Sequence, residues 1–128
     1  MERKYSVLVV ENEDDHMRLI ELFLKQAGIA AHTASTTAEA DLVLSTNSID
    51  AILLDIMLPG EDGISYLHRL RQEEKYKSLP ILAVTAVTQG PKFEEIKQAD
   101  FADIIRKPYE PADLVKRVKT ALEIYLAK

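Results

Sequence analysis

The sequence predicts an α/β fold in which helices cover both faces of a doubly wound, five-stranded parallel sheet. The apolar run at residues 51–54 leads into a single carboxylate, Asp55, and stops at Pro59-Gly60. Such a run between turn residues is typical of a strand buried on both faces. Five strand-like and five helix-like segments alternate along the chain, which implies right-handed crossovers between parallel strands. Because the 128 residues contain no internal repeat and no linker, we expect one domain spanning residues 1–128.

The first strand is predicted over residues 5–10, a short apolar run rich in valine. The next helix is expected to begin at Asp14 or Asp15, either of which can cap its amino end, and to close at Gly28. Its expected inward residues are Leu19, Ile20, Phe23 and Ala27. A short second strand follows over residues 29–34, and a polar His-Thr pair inside it indicates a position at the sheet edge.

A second helix and the central strand come next. Residues 36–39, Thr-Thr-Ala-Glu, match a capping box, which marks the start of a helix. The strand that carries Asp55 follows this helix. Beyond it, a third helix is expected to begin at Gly63, and the charged segment 71–78 at its end is expected to be solvated.

The last third of the chain supplies two more strands and two more helices. A strand over residues 81–85 ends on the hydroxyl of Thr85. A weakly apolar helix follows from Pro91, since proline is favoured in the first helical turn. The fifth strand is predicted over residues 103–106, and the last helix after Pro111.

Composition excludes several functional classes. The chain has no cysteine, so neither disulfides nor thiolate metal sites are available, and a reducing compartment is expected. Its apolar runs are far shorter than the roughly 20 residues that cross a bilayer, and its first residues do not form a signal peptide. We therefore expect a cytoplasmic protein without membrane contact. A net charge of −5 argues against direct binding to nucleic acid.

Polar residues follow four of the predicted strands, at the edge where parallel sheets bind ligands. They are Glu11-Asn12, Asp55, Thr85 and Lys107. Taken singly, each can be a loop residue, a satisfied hydroxyl or a surface charge. Together, the oxygen ligands suit Mg²⁺, and a lysine and a hydroxyl can bind phosphoryl oxygens. Asp55 is then a nucleophile of aspartyl-phosphate chemistry.

These residues resemble the receiver domain of bacterial response regulators in two-component signalling. The resemblance extends from residue 7 to about residue 122. It depends on four blocks, Val-Val-Glu-Asn-Glu at 9–13, Leu-Asp-Ile-Met-Leu-Pro-Gly-Glu-Asp-Gly at 54–63, Val-Thr-Ala at 84–86 and Lys-Pro at 107–108. The family implies a flavodoxin-like (βα)5 receiver fold with strand order 2-1-3-4-5.

The resemblance also implies a role for each matched residue. Asp55 would accept a phosphoryl group from a phosphohistidine on a sensor histidine kinase or a histidine phosphotransfer protein. Mg²⁺ would be held by Asp55, by the side chain of Asn12 and by the main-chain carbonyl of Met57, with Glu11 acting through water. The phosphorylated protein would signal by contact with a downstream protein target, and it would be no enzyme beyond assisting its own phosphorylation and slow hydrolysis.

The remaining family positions concern the response to phosphorylation. Thr85 would hydrogen-bond the phosphoryl group and Lys107 would pair with it, while the small Ala86 leaves the pocket accessible. The Lys107-Pro108 bond would be the family's usual cis peptide. The signal would leave through the face formed by the helix at residues 91–99, the fifth strand and the last helix.

Two positions depart from the family pattern. The second acid after the first strand is replaced by Asn12, which keeps an oxygen ligand but lacks the charge, unless Glu13 supplies it. The aromatic residue usually found three positions before the lysine is replaced by Ile104.

These departures leave two other functions open. The chain can be a pseudo-receiver, which binds partners and is not phosphorylated. It can also be a small aspartyl-phosphate hydrolase, against which Met57 counts, because it occupies the place of a second acid. His16, His32 and His68 lack metal-ligand spacing, and none is expected to be a ligand or a phosphorylation site.

Overall fold

Residues 4–126 are described in the computed structural model of this chain, so five residues of the predicted domain, 1–3 and 127–128, lie outside the described part. Strands and helices alternate throughout. The strands are β1 (Ser6–Val10), β2 (Ala30–Ala34), β3 (Ala51–Asp55), β4 (Ile81–Thr85) and β5 (Asp103–Arg106). The α-helices are α1 (Asp14–Gln26), α2 (Thr37–Thr46), α3 (Gly63–Arg71), α4 (Gly90–Gln98) and α5 (Pro111–Leu126), and a 3₁₀ turn spans Glu74–Tyr76.

The sheet is wholly parallel and its strand order is β2-β1-β3-β4-β5. This confirms both the predicted doubly wound fold and the strand order implied by the resemblance. β2 lies at an edge, as its polar residues predicted. In the register, Asp55 pairs with Val84 and Thr85 pairs with Arg106, so the strand ends meet along one rim of the sheet.

Two apolar layers enclose the sheet because successive strand residues point to opposite faces. On one face, Val7, Val9, Leu53 and Leu82 pack with residues of α1 and α5 that include Ile20, Leu24, Leu114 and Val118. On the other, Leu8, Ile52, Leu54 and Ile81 pack with Ala40, Leu44, Leu67 and Leu70 of α2 and α3. Burying each Val, Leu or Ile side chain of these layers contributes roughly 1.5–3 kcal/mol. β3 and β4 are buried along their whole length, which fixes the rim residues on a rigid support.

Helix α1 differs from its prediction in two respects. Its cap is Glu13, whose side chain makes no capping hydrogen bond, and Asp14 and Asp15 lie in the first turn. There their charges interact favourably with the partial positive charge of the helix end. Leu19 is 48% exposed and Leu24 is buried in its place, since the stripe that faces the sheet passes through Ile20 and Leu24.

The capping box of α2 is confirmed, in a slightly altered form. The Thr36 hydroxyl accepts a hydrogen bond from the Glu39 amide at 3.1 Å. The Glu39 carboxylate in turn accepts from the amide of Ser35 at 3.2 Å, one residue before the cap. Two backbone donors at the helix start are thereby satisfied.

The charged segment 71–78 is largely exposed, as predicted, but its first residue turns inward. This residue is Arg71, the last of α3, whose side chain is only 14% exposed. Its Nη1 donates to the carbonyl oxygens of Tyr76 and Leu79, both at 2.7 Å, and its Nη2 donates to that of Asp100 at 3.0 Å. A planar guanidinium with five donors can gather several loop carbonyls, which explains why this charge turns inward.

None of the helices within residues 4–126 combines the length and the apolar character that a membrane span requires.

Candidate functional site

Three of the predicted site residues meet at the carboxyl ends of the central strands. Asp55 ends β3 and is 7% exposed, while Glu11 directly follows β1 and is 1% exposed. Lys107, one residue beyond β5, extends back over the rim. Its Nζ lies 3.5 Å from Asp55 Oδ2 and 3.5 Å from Glu11 Oε1. One ammonium therefore faces two carboxylates.

The pair of carboxylates disturbs the protonation of Glu11. Burial raises the pKa of Glu11, and the neighbouring Asp55 raises this pKa further, although His16 and Lys107 oppose the shift. Within the described chain, Oε1 of Glu11 is buried and no donor is aligned for a hydrogen bond to it. A buried acceptor without an aligned donor is costly. The site therefore has unused capacity for a cation or for an ordered water molecule.

The donor set of this rim fits Mg²⁺. Asp55 and Glu11 supply carboxylate oxygens, and Asn12 and Met57, both exposed, border the same rim. Among residues 4–126, no group of three or more His, Cys, Asp or Glu side chains is placed so that it could hold a metal ion. Mg²⁺ sites in proteins commonly use one or two carboxylates and several water molecules.

The loop after Asp55 folds back onto the carboxylate. Oδ1 of Asp55 accepts a hydrogen bond from the amide of Met57 at 3.1 Å. The other oxygen, Oδ2, lies on the side of Lys107. The two oxygens of Asp55 thus have different partners.

Thr85 is fully buried at the end of β4, and Ala86 next to it is exposed. The Thr85 hydroxyl oxygen accepts a hydrogen bond from the amide of Val87 at 2.9 Å. Its own proton remains available to a further acceptor, because a hydroxyl both donates and accepts. Thr85 therefore joins the rim to the start of the loop before α4.

Ile104 lies on β5, where the family usually has an aromatic residue. It is half-buried and packs with Val87 and Phe101 against a small apolar cluster. That cluster contains Ile56, Ile64, Ala83 and Ile96. The branched side chain therefore occupies a formed apolar site behind Thr85.

Two residues at the site were missed by sequence reasoning. His16 Nδ1 lies 3.0 Å from Glu11 Oε1, and His16 Nε2 lies 2.7 Å from the hydroxyl of Tyr109. Tyr109 lies in the loop after β5, and the Lys107-Pro108 bond at the start of this loop is cis, in agreement with the resemblance. No sequence signal could reveal the contact, since 93 residues separate its two partners. His32 lies on the edge strand β2, and His68 is exposed on α3.

Replacing Glu11 by glutamine is expected to stabilise the metal-free protein at neutral pH. Because the pKa of Glu11 is raised in the fold, its charged form disfavours folding above pH 4.5, and this penalty is relieved as pH falls through the folded-state pKa. We expect a gain of roughly 1 kcal/mol, as for removal of a poorly satisfied buried group. Urea unfolding between pH 5 and pH 8, in roughly unit steps, measures it. A variant less stable than the wild type at pH 8 contradicts the prediction.

Comparison with known proteins identifies the family of this chain. The family model described as "Response regulator receiver domain" matches residues 7–119. The transcriptional regulatory protein SrrA of Staphylococcus aureus is 35% identical over 117 residues, which are 91% of this chain and 47% of SrrA. The chain thus spans about half the length of the curated relatives it matches.

Solved structures give the same result. The chemotaxis response regulator CheY4 of Vibrio cholerae has a TM-score of 0.85 at 26% identity, covering 93% of this chain and 99% of that one. A response regulator receiver protein from Pseudomonas putida has a TM-score of 0.85 at 25% identity, covering 94% and 99%. The chain belongs to the response regulator receiver domain family, the signalling module of two-component systems.

Proposed function

We propose that this chain is a phospho-acceptor: Asp55 receives a phosphoryl group in a Mg²⁺-dependent reaction and thereby changes the contacts that the protein makes. The donor is a phosphohistidine on a sensor histidine kinase or a histidine phosphotransfer protein. One observation carries the proposal. The carboxylate of Asp55 stands at the open end of the central strand, with Lys107 at 3.5 Å and the acid Glu11 beside it.

The chemistry follows from the partners of Asp55. One carboxylate oxygen attacks phosphorus, an oxygen–phosphorus bond forms and the bond between phosphorus and the donor imidazole breaks. The amide of Met57 orients the carboxylate through Oδ1. Asp55, the Asn12 side chain and the Met57 carbonyl would hold Mg²⁺, which would neutralise charge on the phosphoryl oxygens. Glu11 would contact this site through water.

Two further side chains respond to the new phosphoryl group. Lys107 can exchange its contact with Asp55 for an ion pair with a phosphoryl oxygen, since Nζ already lies near Oδ2. The Thr85 hydroxyl can donate its proton to another phosphoryl oxygen. Because Thr85 holds the amide of Val87, movement of its hydroxyl pulls on the loop before α4. The exposed Ala86 leaves the phosphoryl group open to water, and slow hydrolysis resets the signal.

Two candidate functions compete with this proposal. Asn12 favours a pseudo-receiver, because an uncharged ligand weakens the metal site. A true hydrolase has less support, since Met57 offers no acid or base and is 60% exposed. Incubation with acetyl phosphate and Mg²⁺, followed by intact mass measurement, separates the three. A single adduct supports the phospho-acceptor, no adduct the pseudo-receiver, and continuous release of phosphate the hydrolase.

Replacing Asn12 by aspartate is expected to tighten Mg²⁺ binding about tenfold, or roughly 1.4 kcal/mol. The added carboxylate attracts the cation, and screening by retained water limits the gain. Isothermal titration of wild type, Asn12→Asp and Glu13→Gln measures it. Equal affinities in wild type and Asn12→Asp, with a sharp loss in Glu13→Gln, would show that Glu13 supplies the missing charge.

Ile104 predicts a small structural response to phosphorylation. It has no ring to swing inward, so less volume can follow Thr85 than with an aromatic residue. We expect beryllofluoride to shift amide resonances strongly beside Asp55 and in the loop 86–90, and only weakly along α5. Heteronuclear NMR with and without beryllofluoride checks this. Shifts across α5 as large as those beside Asp55 contradict it.

The output surface that we propose combines α4, β5 and α5. Arg117 of α5 pairs with Asp103 of β5 at 2.8 Å and with Asp113 at 2.9 Å. The guanidinium of Arg106 lies 4.9 Å from the ring centroid of Phe93 on α4. These contacts join the three elements next to Lys107. We propose that this surface binds a downstream protein in the cytoplasm, without direct contact to nucleic acid or membrane.

A further inference from the structure

A row of three polar side chains runs from the rim of the sheet to the loop after β5. It consists of Glu11, His16 in the first turns of α1, and Tyr109 just beyond the Lys107-Pro108 bond. The two links measure 3.0 Å, from Glu11 Oε1 to His16 Nδ1, and 2.7 Å, from His16 Nε2 to the Tyr109 hydroxyl. The His16 and Tyr109 rings are tilted by 38° with centroids 5.6 Å apart. The row thus joins three segments that are distant in sequence.

The chemistry of the row determines where its protons lie. An ionised Glu11 carboxylate only accepts hydrogen bonds, so a bare nitrogen lone pair 3.0 Å from it would be repelled. Beside an ionised Glu11, His16 Nδ1 therefore carries a proton in either the neutral or the charged ring. In the neutral ring Nε2 is then an acceptor, and the Tyr109 hydroxyl donates to it. Burial and the nearby Glu11 raise the pKa of Tyr109 to about 12, so its phenol stays protonated at neutral pH.

Burial makes this contact important for Glu11. The side chain of Glu11 is 2% exposed and that of His16 is 17% exposed, so bulk water reaches neither freely. The 3.0 Å contact between His16 Nδ1 and Oε1 of Glu11 is not aligned as a hydrogen bond. The contact therefore orients the carboxylate, while the oxygen can still accept a hydrogen bond from another donor. The Nζ atom of Lys107 lies 3.5 Å from the same oxygen, and it lies equally far from Oδ2 of Asp55.

We propose that His16 is a positioning residue, which Tyr109 holds in the Nδ1-protonated form and which fixes the carboxylate of Glu11 at the rim. This inference rests on the proposed function, because the orientation of Glu11 serves its water-mediated contact with Mg²⁺. Loss of His16 lets Glu11 adopt other rotamers or turn towards Lys107. Binding of Mg²⁺ then has to restore the orientation and becomes weaker.

The first test reads the imidazole directly in the metal-free protein. Nitrogen-15 chemical shifts of His16 are recorded at a pH at which the ring is neutral, and they are expected to show protonated Nδ1 and unprotonated Nε2. In Tyr109→Phe, the chemical shift of Nε2 is expected to move towards the value of an unprotonated nitrogen that accepts no hydrogen bond. A neutral ring protonated at Nε2 overturns the proposal. So does an Nε2 shift that does not respond to Tyr109→Phe.

The second test measures Mg²⁺ binding by isothermal titration, with thermal unfolding as a check on the fold. His16→Leu is expected to raise the Mg²⁺ dissociation constant about five- to tenfold, near the lower end of effects seen for outer-shell partners. His16→Asn keeps a donor near the place of Nδ1 and is expected to stay within about twofold of wild type. Tyr109→Phe is expected to lie between them. His68→Leu, an exposed histidine on α3, is the matched control and is expected to bind like wild type.

The outcomes separate this proposal from the proposed function. If wild type and His16→Leu bind Mg²⁺ equally, His16 does not position Glu11, while the phospho-acceptor function stands. Tighter binding by His16→Leu shows that His16 competes with the cation and likewise overturns the inference. If wild type binds no Mg²⁺ at all, both fail. If His16→Leu does not fold, Tyr109→Phe is compared with His16→Asn. Weaker Mg²⁺ binding by Tyr109→Phe supports the proposal, and equal binding overturns it.

Discussion

Replacing Asp55 by asparagine is expected to abolish phosphoryl incorporation from acetyl phosphate. Asparagine has the shape of aspartate but lacks the anionic oxygen that attacks phosphorus. The fold is expected to persist, because the change also removes one of two adjacent buried carboxylates and so lowers the repulsion on Glu11. Intact mass before and after incubation with acetyl phosphate and Mg²⁺ measures the adduct. We expect complete loss of the base-labile adduct.

A matched control lies at the opposite end of the same strand. Asp50, immediately before β3, is also 7% exposed, and its carboxylate accepts a hydrogen bond from the Ser6 amide at 2.9 Å. Asp50→Asn removes a buried charge far from the rim, and this variant is expected to incorporate the phosphoryl group at the wild-type rate. Labelling of Asp55→Asn at the wild-type rate, with Asp50→Asn unaffected, would show that another residue is the acceptor.

The strands of this fold could be predicted almost to the residue, and the reason is burial. β3 and β4 lie in the middle of the sheet with helices on both faces, so every residue before Asp55 and Thr85 in these strands is apolar. The same burial places the first polar residue of each strand at the rim. The predicted site residues Asp55, Glu11 and Lys107 therefore come together through topology alone.

Helix faces and long-range polar contacts were harder to predict. Successive residues are 100° apart around a helix, so a small error in the predicted orientation of α1 places the wrong residue inside. Leu19 was predicted to face inward, whereas the structure buries Leu24. The inward turn of Arg71 depends on carbonyl groups of loops whose paths the sequence does not define. The contact of His16 with Tyr109 depends on how α1 and the loop after β5 approach each other across the rim.

The tight fit beneath the site depends on a residue without a side chain. Gly63, the first residue of α3, is buried, and its amide donates to the carbonyl of Ile56 at 2.9 Å. A Cβ atom at this position would lie 2.7 Å from the main-chain oxygen of Asp55 and 2.8 Å from the Cα of Ile56. The helix therefore rests directly on the backbone that carries the acceptor. Asp62 fixes the start of α3 by accepting from the Ser65 amide at 2.9 Å.

Replacing Gly63 by alanine is accordingly expected to destabilise the protein by roughly 2–3 kcal/mol, as in overpacked cores. The higher helix propensity of alanine, worth up to about 1 kcal/mol, offsets only part of this cost. Backbone atoms of β3 must move to admit the methyl group, so phosphorylation of Asp55 is expected to slow as well. Urea unfolding measures the stability, and the rate of adduct formation measures the effect on the site.

The control for Gly63→Ala is Gly60→Ala, three residues earlier in the same loop. Gly60 has a φ of +80°, and a Cβ there would meet no atom within 4 Å. Its replacement tests backbone strain without a clash, and we expect a cost of about 1 kcal/mol. If steric contact with β3 governs the site, Gly63→Ala is the more damaging change for both stability and phosphorylation rate. Equal stability of Gly63→Ala and wild type would mean that α3 can move away from Asp55 at little cost, and that the close approach does not hold the acceptor in place.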